Sequence, residues 1–463
     1  MERMEGVDAG YLYMETPTQH MHTLKVALIG PAPTFEFERF AGALVDRLDR
    51  LPPLRRRVLP VPFALNHPVW IEDRPVDPQR HIVRHVLPAP GGMAELEELI
   101  GRIAGTPLDR RLPLWEMHVC EGLSGDRFAV VTKMHHAIAD GAAANALLAN
   151  VTDTLDPPTP GPKPGTAPLE ATPSRLALVG SALRDAIRQT VDLPALLWRT
   201  GRAVAAVVRH KRGSSVAVPR PMLDVPRVSF NGALTARRGF ATCTLPMNEI
   251  KDVRRQHGVS VNDVVLAIVA GALREWMEER GELPRSPLTA GVPVGTDLPG
   301  APVRLTGNRV SNLFTTLATD VDEPGKRLAE IARVTAESKA VQRTLGHDML
   351  TDWVQYTPPA PFTAAMRLYS RTRAASMHPA PFNVVVSNVP GLRETAEFSG
   401  TALDDFFSVG PILEGIGLNV TVWSYADRMN FSLLSCPDLL ADLGPLVARF
   451  GPALDALRDD WLR

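Results

Sequence analysis

The chain is poor in cysteine. Only Cys120, Cys243 and Cys436 occur, far apart in sequence. No CxxC pair exists, which excludes a zinc ribbon and a disulfide framework and leaves free thiols in a reducing cytosol as the expected state. Long apolar runs are also missing. The longest, Val264 to Leu273, is about half of what a membrane span needs. The opening stretch, Met1 to Gly10, lacks the apolar core of a secretory leader. Excess charge of one sign is absent too. The formal net charge is -1 at pH 7, so there is no global basic footprint for nucleic acid and none is expected as a partner. What is present is 45% hydrophobic and 22% charged residues, the balance of a globular protein and not of a disordered or collagen-like one.

At 463 residues the chain is too long for one ordinary core, which points to two lobes. Strand-like and helix-like stretches alternate in both halves, so the expected class is α/β or α+β. In the first lobe, residues 1–155, Thr34 is placed to cap a helix whose apolar positions run from Phe37 to Leu51. Trp115 to Cys120 and Phe128 to His136 read as strands, and Gly141 to Leu155 as a helix. Residues 156–226 form a distinct middle segment. It opens on a Pro-rich linker, Asp156 to Pro173, that cannot be regular helix or sheet. Ser174 to Arg212 then reads as an amphipathic helical pair with eight basic residues against two acids. The second lobe, residues 227–463, opens a strongly apolar helix at Ser260-Val261-Asn262-Asp263. Further on it carries a helix within Gly325 to Leu345 and strands at Phe382 to Ser387 and Leu418 to Tyr425. A final helical pattern runs from Val447 to Trp461, interrupted at Gly451-Pro452.

One stretch stands out for chemistry: Lys133-Met134-His135-His136-Ala137-Ile138-Ala139-Asp140-Gly141. Two histidines close a strand, and an Asp-Gly precedes a helix. Neighbouring strand side chains point to opposite faces, so His135 and His136 have different jobs. His136 shares its face with Phe128, Val130, Thr132 and Met134, which places an imidazole at the end of an apolar surface. Neutral imidazole is well matched to removing a proton near pH 7. A structural reading stands beside this one. Asp140 before Gly141 is also an ordinary helix N-cap, and a buried histidine is also an ordinary satisfied core residue. His, His and Asp are metal-ligand types as well. Their opposed directions and the absence of an HExxH or facial-triad spacing argue against that, and no metal site is expected.

Other catalytic templates are missing: no GxSxG elbow, no P-loop, no strand-linked GxGxxG and no activated cysteine. A base without a protein nucleophile fits direct transfer between two bound substrates.

HHxxxDG resembles the active-site motif of acyltransferases with a chloramphenicol-acetyltransferase-like fold, a group that includes peptide-synthetase condensation domains. Further stretches narrow the likeness. Gly6 to Pro17 (GVDAGYLYMETP), then Met21-His22, Pro113-Leu114-Trp115-Glu116, Asn262-Asp263, Ser387-Asn388-Val389-Pro390-Gly391 and Gly417 to Val422 occur in order along nearly the whole chain. That set resembles the bacterial wax ester synthase/diacylglycerol acyltransferases. One departure is the turn after Ser424-Tyr425, where Ala426-Asp427-Arg428 replaces the family's usual small residue.

The resemblance implies two lobes, each a mixed sheet flanked by helices, with the active site between them. It implies His136 as general base, transferring a long-chain acyl group from acyl-CoA to diacylglycerol or a long-chain alcohol, with triacylglycerol or wax ester as product. No cofactor is implied. His135, Asp140 and Gly141 shape the loop, with Asp140 contacting a distant arginine. Asn262, Trp115, Ser387, Asn419 and Thr421 are the implied substrate-side residues. Asp263 is grouped with them, although Ser260-x-x-Asp263 is also a capping box. Peripheral binding to the inner membrane face or to lipid droplets, through Ser174 to Arg212, follows from such substrates. Packing of those helices on the body of the protein is the other reading. A carrier-dependent condensation-type enzyme and a noncatalytic lipid-binding protein are the alternative functions.

Overall fold

A computed structural model describes residues 2–153, 169–298, 300–346 and 349–460. Two six-stranded mixed sheets dominate it. The first runs, edge to edge, through Glu397–Phe398, Thr401–Val409, His22–Ile29, Arg127–His135, Trp115–Leu123 and Ile82–Val86. The second runs through Val310–Thr316, Thr289–Gly295, Val384–Val389, Leu418–Tyr425, Arg428–Ser435 and Gly239–Pro246. The lobes are therefore interlocked. Thr401–Val409 belongs to the C-terminal half, yet it pairs antiparallel with His22–Ile29 in the first sheet.

The first sheet is covered on both faces, so its strands carry apolar residues on both sides. Leu24, Val26, Ala129 and Val131 pack on one face against Leu96, Leu99 and Ile103 of the helix Met93–Ala104. Ile29, Phe128, Val130 and Met134 face the other way, toward Phe40 and Leu44 of the helix Phe37–Arg47 and Leu147 of the helix Gly141–Val151. The second sheet packs on the helix Val261–Glu279, which is buried nearly all round. Its Val264–Leu273 run is thus core; an all-round apolar helix needs such a surrounding. Ser260 caps that helix: its Oγ accepts from Asp263 N–H at 3.2 Å, while Asp263 Oδ2 accepts from Ser260 N–H at 2.9 Å.

Several elements differ from the sequence expectation. The first long helix begins at Phe37 with Glu36 at its N-cap, so Thr34 does not cap it. The expected helix Gly141 to Leu155 ends at Val151. The linker expected over 156–173 lies mostly outside the described residues. Ser174 to Arg212 is one continuous helix, Arg175–Gly213, with Pro194 inside and Ser174 as N-cap, not a pair. At the C-terminal end the break falls between Val447 and Phe450. Gly451 and Pro452 sit in the first turn of Phe450–Asp459, where proline's missing N–H costs no helical bond. Ala426 takes φ 50, a conformation that favours glycine, so the departure in the final hairpin turn carries backbone strain.

Among the described residues, no single helix is long and apolar enough to cross a membrane.

Candidate active site

The strand Arg127–His135 delivers the two histidines to the end of the first sheet. His136 lies one residue beyond it, and its N–H still donates to Met21 O at 2.8 Å. His135 is buried. Its Nδ1 accepts from Ala137 N–H at 3.1 Å, so the neutral ring carries its proton on Nε2, 3.7 Å from Glu15 Oε2. His136 points the opposite way and is partly exposed.

Three residues fix the His136 ring. Asn308 Oδ1 lies 3.0 Å from His136 Nδ1. The Asn308 amide donates from Nδ2 to Asp8 Oδ1 at 2.7 Å and to His136 O at 2.8 Å. Both acceptors require the amide nitrogen on that side, so Oδ1 faces the ring and must accept. His136 therefore carries its proton on Nδ1 and leaves the Nε2 lone pair free. Tyr11 stacks on the ring, with centroids 4.2 Å apart and planes at 18°. Burial, with the Lys25 charge adding, pushes the His136 imidazole down to about 4, so the ring is neutral at pH 7. Burial also pushes Asp8 up to about 7, against the stabilising bond from Asn308. Asp8 and Tyr11 fall inside the opening stretch that carries the family likeness. Asn308 is 172 residues from His136 and has no local signal of its own.

Asp140 organises the loop. Its Oδ1 accepts from Ala143 N–H at 3.0 Å, an N-cap, and its Oδ2 accepts from Arg309 N–H at 2.9 Å and from the Arg304 guanidinium. Arg304 is thus the distant arginine, and it also holds Asp297 at 2.9 Å. Gly141 has a steric reason: a Cβ there would lie 2.9 Å from Val389 Cγ2.

The remaining sequence candidates spread out. Trp115 is buried, donates from Nε1 to Leu54 O at 2.6 Å and stacks on His81. Asn419 and Thr421 are buried and bonded to each other at 2.8 Å. They also hold the backbone of Pro411 and Gly410, at 2.9 and 3.1 Å. Ser387 is paired beside Thr421 in the second sheet and is half-buried. Asn262 is half-buried in the first turn of the core helix, next to the capping Asp263. Among the described residues, no hydrogen bond joins these six to the His136–Asn308–Asp8 cluster.

A narrow apolar cleft of about 80 Å³, partly open to solvent, lies on the His136 face of the sheet. Val130, Thr132 and Met134 line its floor with Lys25 and Ala27; Phe40, Leu44, Leu147, Val151, Phe398 and Phe406 form its walls. Strand alternation puts these floor residues and His136 on one face. Lys25 is the one ammonium in the lining; its Nζ donates to Ser408 Oγ at 2.6 Å and sits 5.1 Å from the Trp423 ring centre.

Residues 4–265 match the wax ester synthase/diacylglycerol acyltransferase catalytic domain, and residues 306–458 match the C-terminal domain of the same family. A Mycobacterium tuberculosis protein named as a diacylglycerol O-acyltransferase is 38% identical over 438 residues, covering 94% of this chain and 91% of that protein. The wax ester synthase/diacylglycerol acyltransferase of Marinobacter aquaeolei VT8 superposes with a TM-score of 0.69 at 25% identity, covering 100% of both chains. The first condensation domain of the calcium-dependent antibiotic synthetase shares the fold, with a TM-score of 0.57 at 14% identity over 99% of this chain and 95% of that one. The likeness of the HHxxxDG loop is thus matched along both halves, and the chain belongs to the wax ester synthase/diacylglycerol acyltransferase family of acyltransferases.

Proposed function

We propose that this acyltransferase moves a long-chain acyl group from acyl-CoA to the hydroxyl of diacylglycerol or a long-chain alcohol, with His136 as general base. His136 Nε2 takes the hydroxyl proton. The acceptor oxygen attacks the thioester carbonyl, a tetrahedral oxyanion forms and collapses, and the proton passes to the departing CoA sulfur. The carrying observation is the fixed tautomer: Asn308 occupies Nδ1 of a neutral ring and leaves Nε2 basic, on the sheet face that carries the apolar cleft. The cleft seats an alkyl chain along Met134, Thr132 and Val130. Holding acceptor, base and thioester together supplies rate through orientation. The thioester is already activated, so the transfer itself takes no cofactor.

The helix Arg175–Gly213 supports peripheral membrane or lipid-droplet binding. Leu178, Ala182 and Leu196 bury one side against the protein. Leu176, Leu183, Ile187, Val191 and Trp198 recur at helical intervals and are exposed, with Arg184, Arg188 and Arg202 alongside. An exposed apolar stripe flanked by arginines suits an anionic lipid surface. The test is CoA release from palmitoyl-CoA with and without diacylglycerol or hexadecanol. Acceptor-dependent release supports the reading; release only from carrier-linked donors overturns the acyl-CoA part. Co-sedimentation with anionic vesicles, lost in Leu183→Glu/Trp198→Glu, tests the surface.

A further inference from the structure

The sheet face opposite the cleft carries a cluster that acyl transfer does not use. Glu15 follows the helix Gly6–Met14, His20 precedes the strand His22–Ile29, and His22 opens it. One donor atom from each of the three lies within 4.8 Å of the others. Both ring nitrogens of His20 and Nδ1 of His22 are buried with no hydrogen-bond partner, and His22 Nε2 meets only Glu15 Oε1, at 3.3 Å. Buried polar atoms are almost always bonded, so this concentration of unsatisfied atoms calls for an occupant.

We propose that Glu15 Oε1, His20 and His22 form a structural site for a divalent transition metal, with Zn²⁺ the best match. Two imidazoles and one carboxylate are a zinc-type donor set, with a water completing the tetrahedron, and nitrogen ligands disfavour Ca²⁺ and Mg²⁺. The carboxylate is already divided for the task. Oε2 is held by Arg110, whose Nε donates at 2.8 Å, while Oε1 faces His22 Nε2 at 3.3 Å. His135 stands behind, its Nε2 3.7 Å from Glu15 Oε2, in the position of an outer partner that orients a ligand.

The ion has a mechanical consequence. Met21 lies between the two histidine ligands, and its carbonyl accepts the His136 N–H at 2.8 Å. Tying His20 and His22 to Glu15 clamps the backbone that anchors His136. On the adjoining side Gln19 Oε1 accepts from Glu414 N–H, and Thr18 Oγ1 donates to Glu414 Oε1 at 2.7 Å, so the clamp extends to the C-terminal half. The ion lies across the sheet from the cleft and takes no part in the chemistry.

The experiment uses the full chain purified without a metal-affinity tag, stripped by chelator and dialysed against Zn²⁺ or Co²⁺. Metal content, the visible Co²⁺ spectrum and Tm are read. The expected result is about one ion per chain, intense tetrahedral-type Co²⁺ bands and a higher Tm with metal. Both His20→Gln and His22→Gln abolish uptake, whereas His85→Gln, in the separate His85–His118 pair, retains it. If His22→Gln fails to fold, His20→Gln decides. A folded wild-type chain that takes up no ion, or uptake unchanged in folded His20→Gln, overturns the site. None of these readouts depends on acyl transfer, so failure here leaves the proposed activity standing.

Discussion

Replacing Asn308 with alanine tests the tautomer argument most sharply. The side chain is buried, 1% exposed. The substitution leaves His136 Nδ1–H without its 3.0 Å acceptor and Asp8 Oδ1 without its 2.7 Å donor. An unpaired buried polar group costs about 1–3 kcal/mol, and about 1.4 kcal/mol is tenfold in rate. If that cost falls on the transition state, where the ring becomes imidazolium and needs the Nδ1–H bond most, kcat drops roughly 5- to 150-fold. The KM for acyl-CoA stays close to wild type, because Asn308 bonds the base and Asp8 and not the cleft lining. The assay is CoA release at saturating palmitoyl-CoA with a fixed acceptor, beside circular dichroism and Tm to confirm folding. A folded Asn308→Ala enzyme with kcat within about twofold of wild type would refute the reasoning, since a freely rotating His136 would then suffice.

Four more outcomes follow from the same geometry. Because burial pushes His136 down from 6.5 to about 4, it adds no acid limb of its own above pH 5.5; in Asp8→Asn, which removes the neighbouring carboxyl that titrates near 7, kcat/KM stays nearly flat between about pH 8 and pH 5.5, and a limb centred near 6.5 would contradict this. The same shift makes the His136 contribution to stability full above pH 6.5 and progressively lost as pH falls toward 4, because the unfolded chain takes the proton first; the His136→Ala minus wild-type Tm difference, followed across that range, checks the sign. Gly141→Ala, whose Cβ would meet Val389 Cγ2 at 2.9 Å, lowers Tm and kcat, and Val389→Ala restores much of both; no rescue would show that the clash is not the cause. Leu147→Trp, in the wall of the cleft, shifts donor preference from palmitoyl-CoA toward shorter acyl-CoA, read as the ratio of kcat/KM values; an unchanged ratio would place the acyl chain elsewhere.

The sequence carried the local half of this site. HHxxxDG states its own logic: strand alternation separates His135 from His136, and Asp140 caps the helix it precedes. The capping box at Ser260 and Asp263 and the strand Leu418–Tyr425 were equally readable, because each rests on a few adjacent residues. What fixes the base was not readable. Asn308 reaches His136 across 172 residues, Asp8 reaches Asn308 across 300, and Arg304 reaches Asp140 across 164. Such contacts depend on how the sheets interlock, and the pairing of Thr401–Val409 with His22–Ile29 leaves no periodic trace. The family likeness gave Asn419 and Thr421 as substrate-side residues; in the structure their hydrogen bonds go to each other and to the Gly410–Pro411 backbone. A polar side chain on a buried strand satisfies a neighbouring loop as readily as it lines a site, and residue type alone does not separate the two.

The reading as a whole turns on His136, and the deciding measurement is CoA release from palmitoyl-CoA by wild type and His136→Ala, with and without diacylglycerol or hexadecanol. Release that requires an acceptor in the wild type and falls at least about a hundredfold in a folded His136→Ala is the result expected of a lone general base. Equal acceptor-dependent release by both proteins would contradict it.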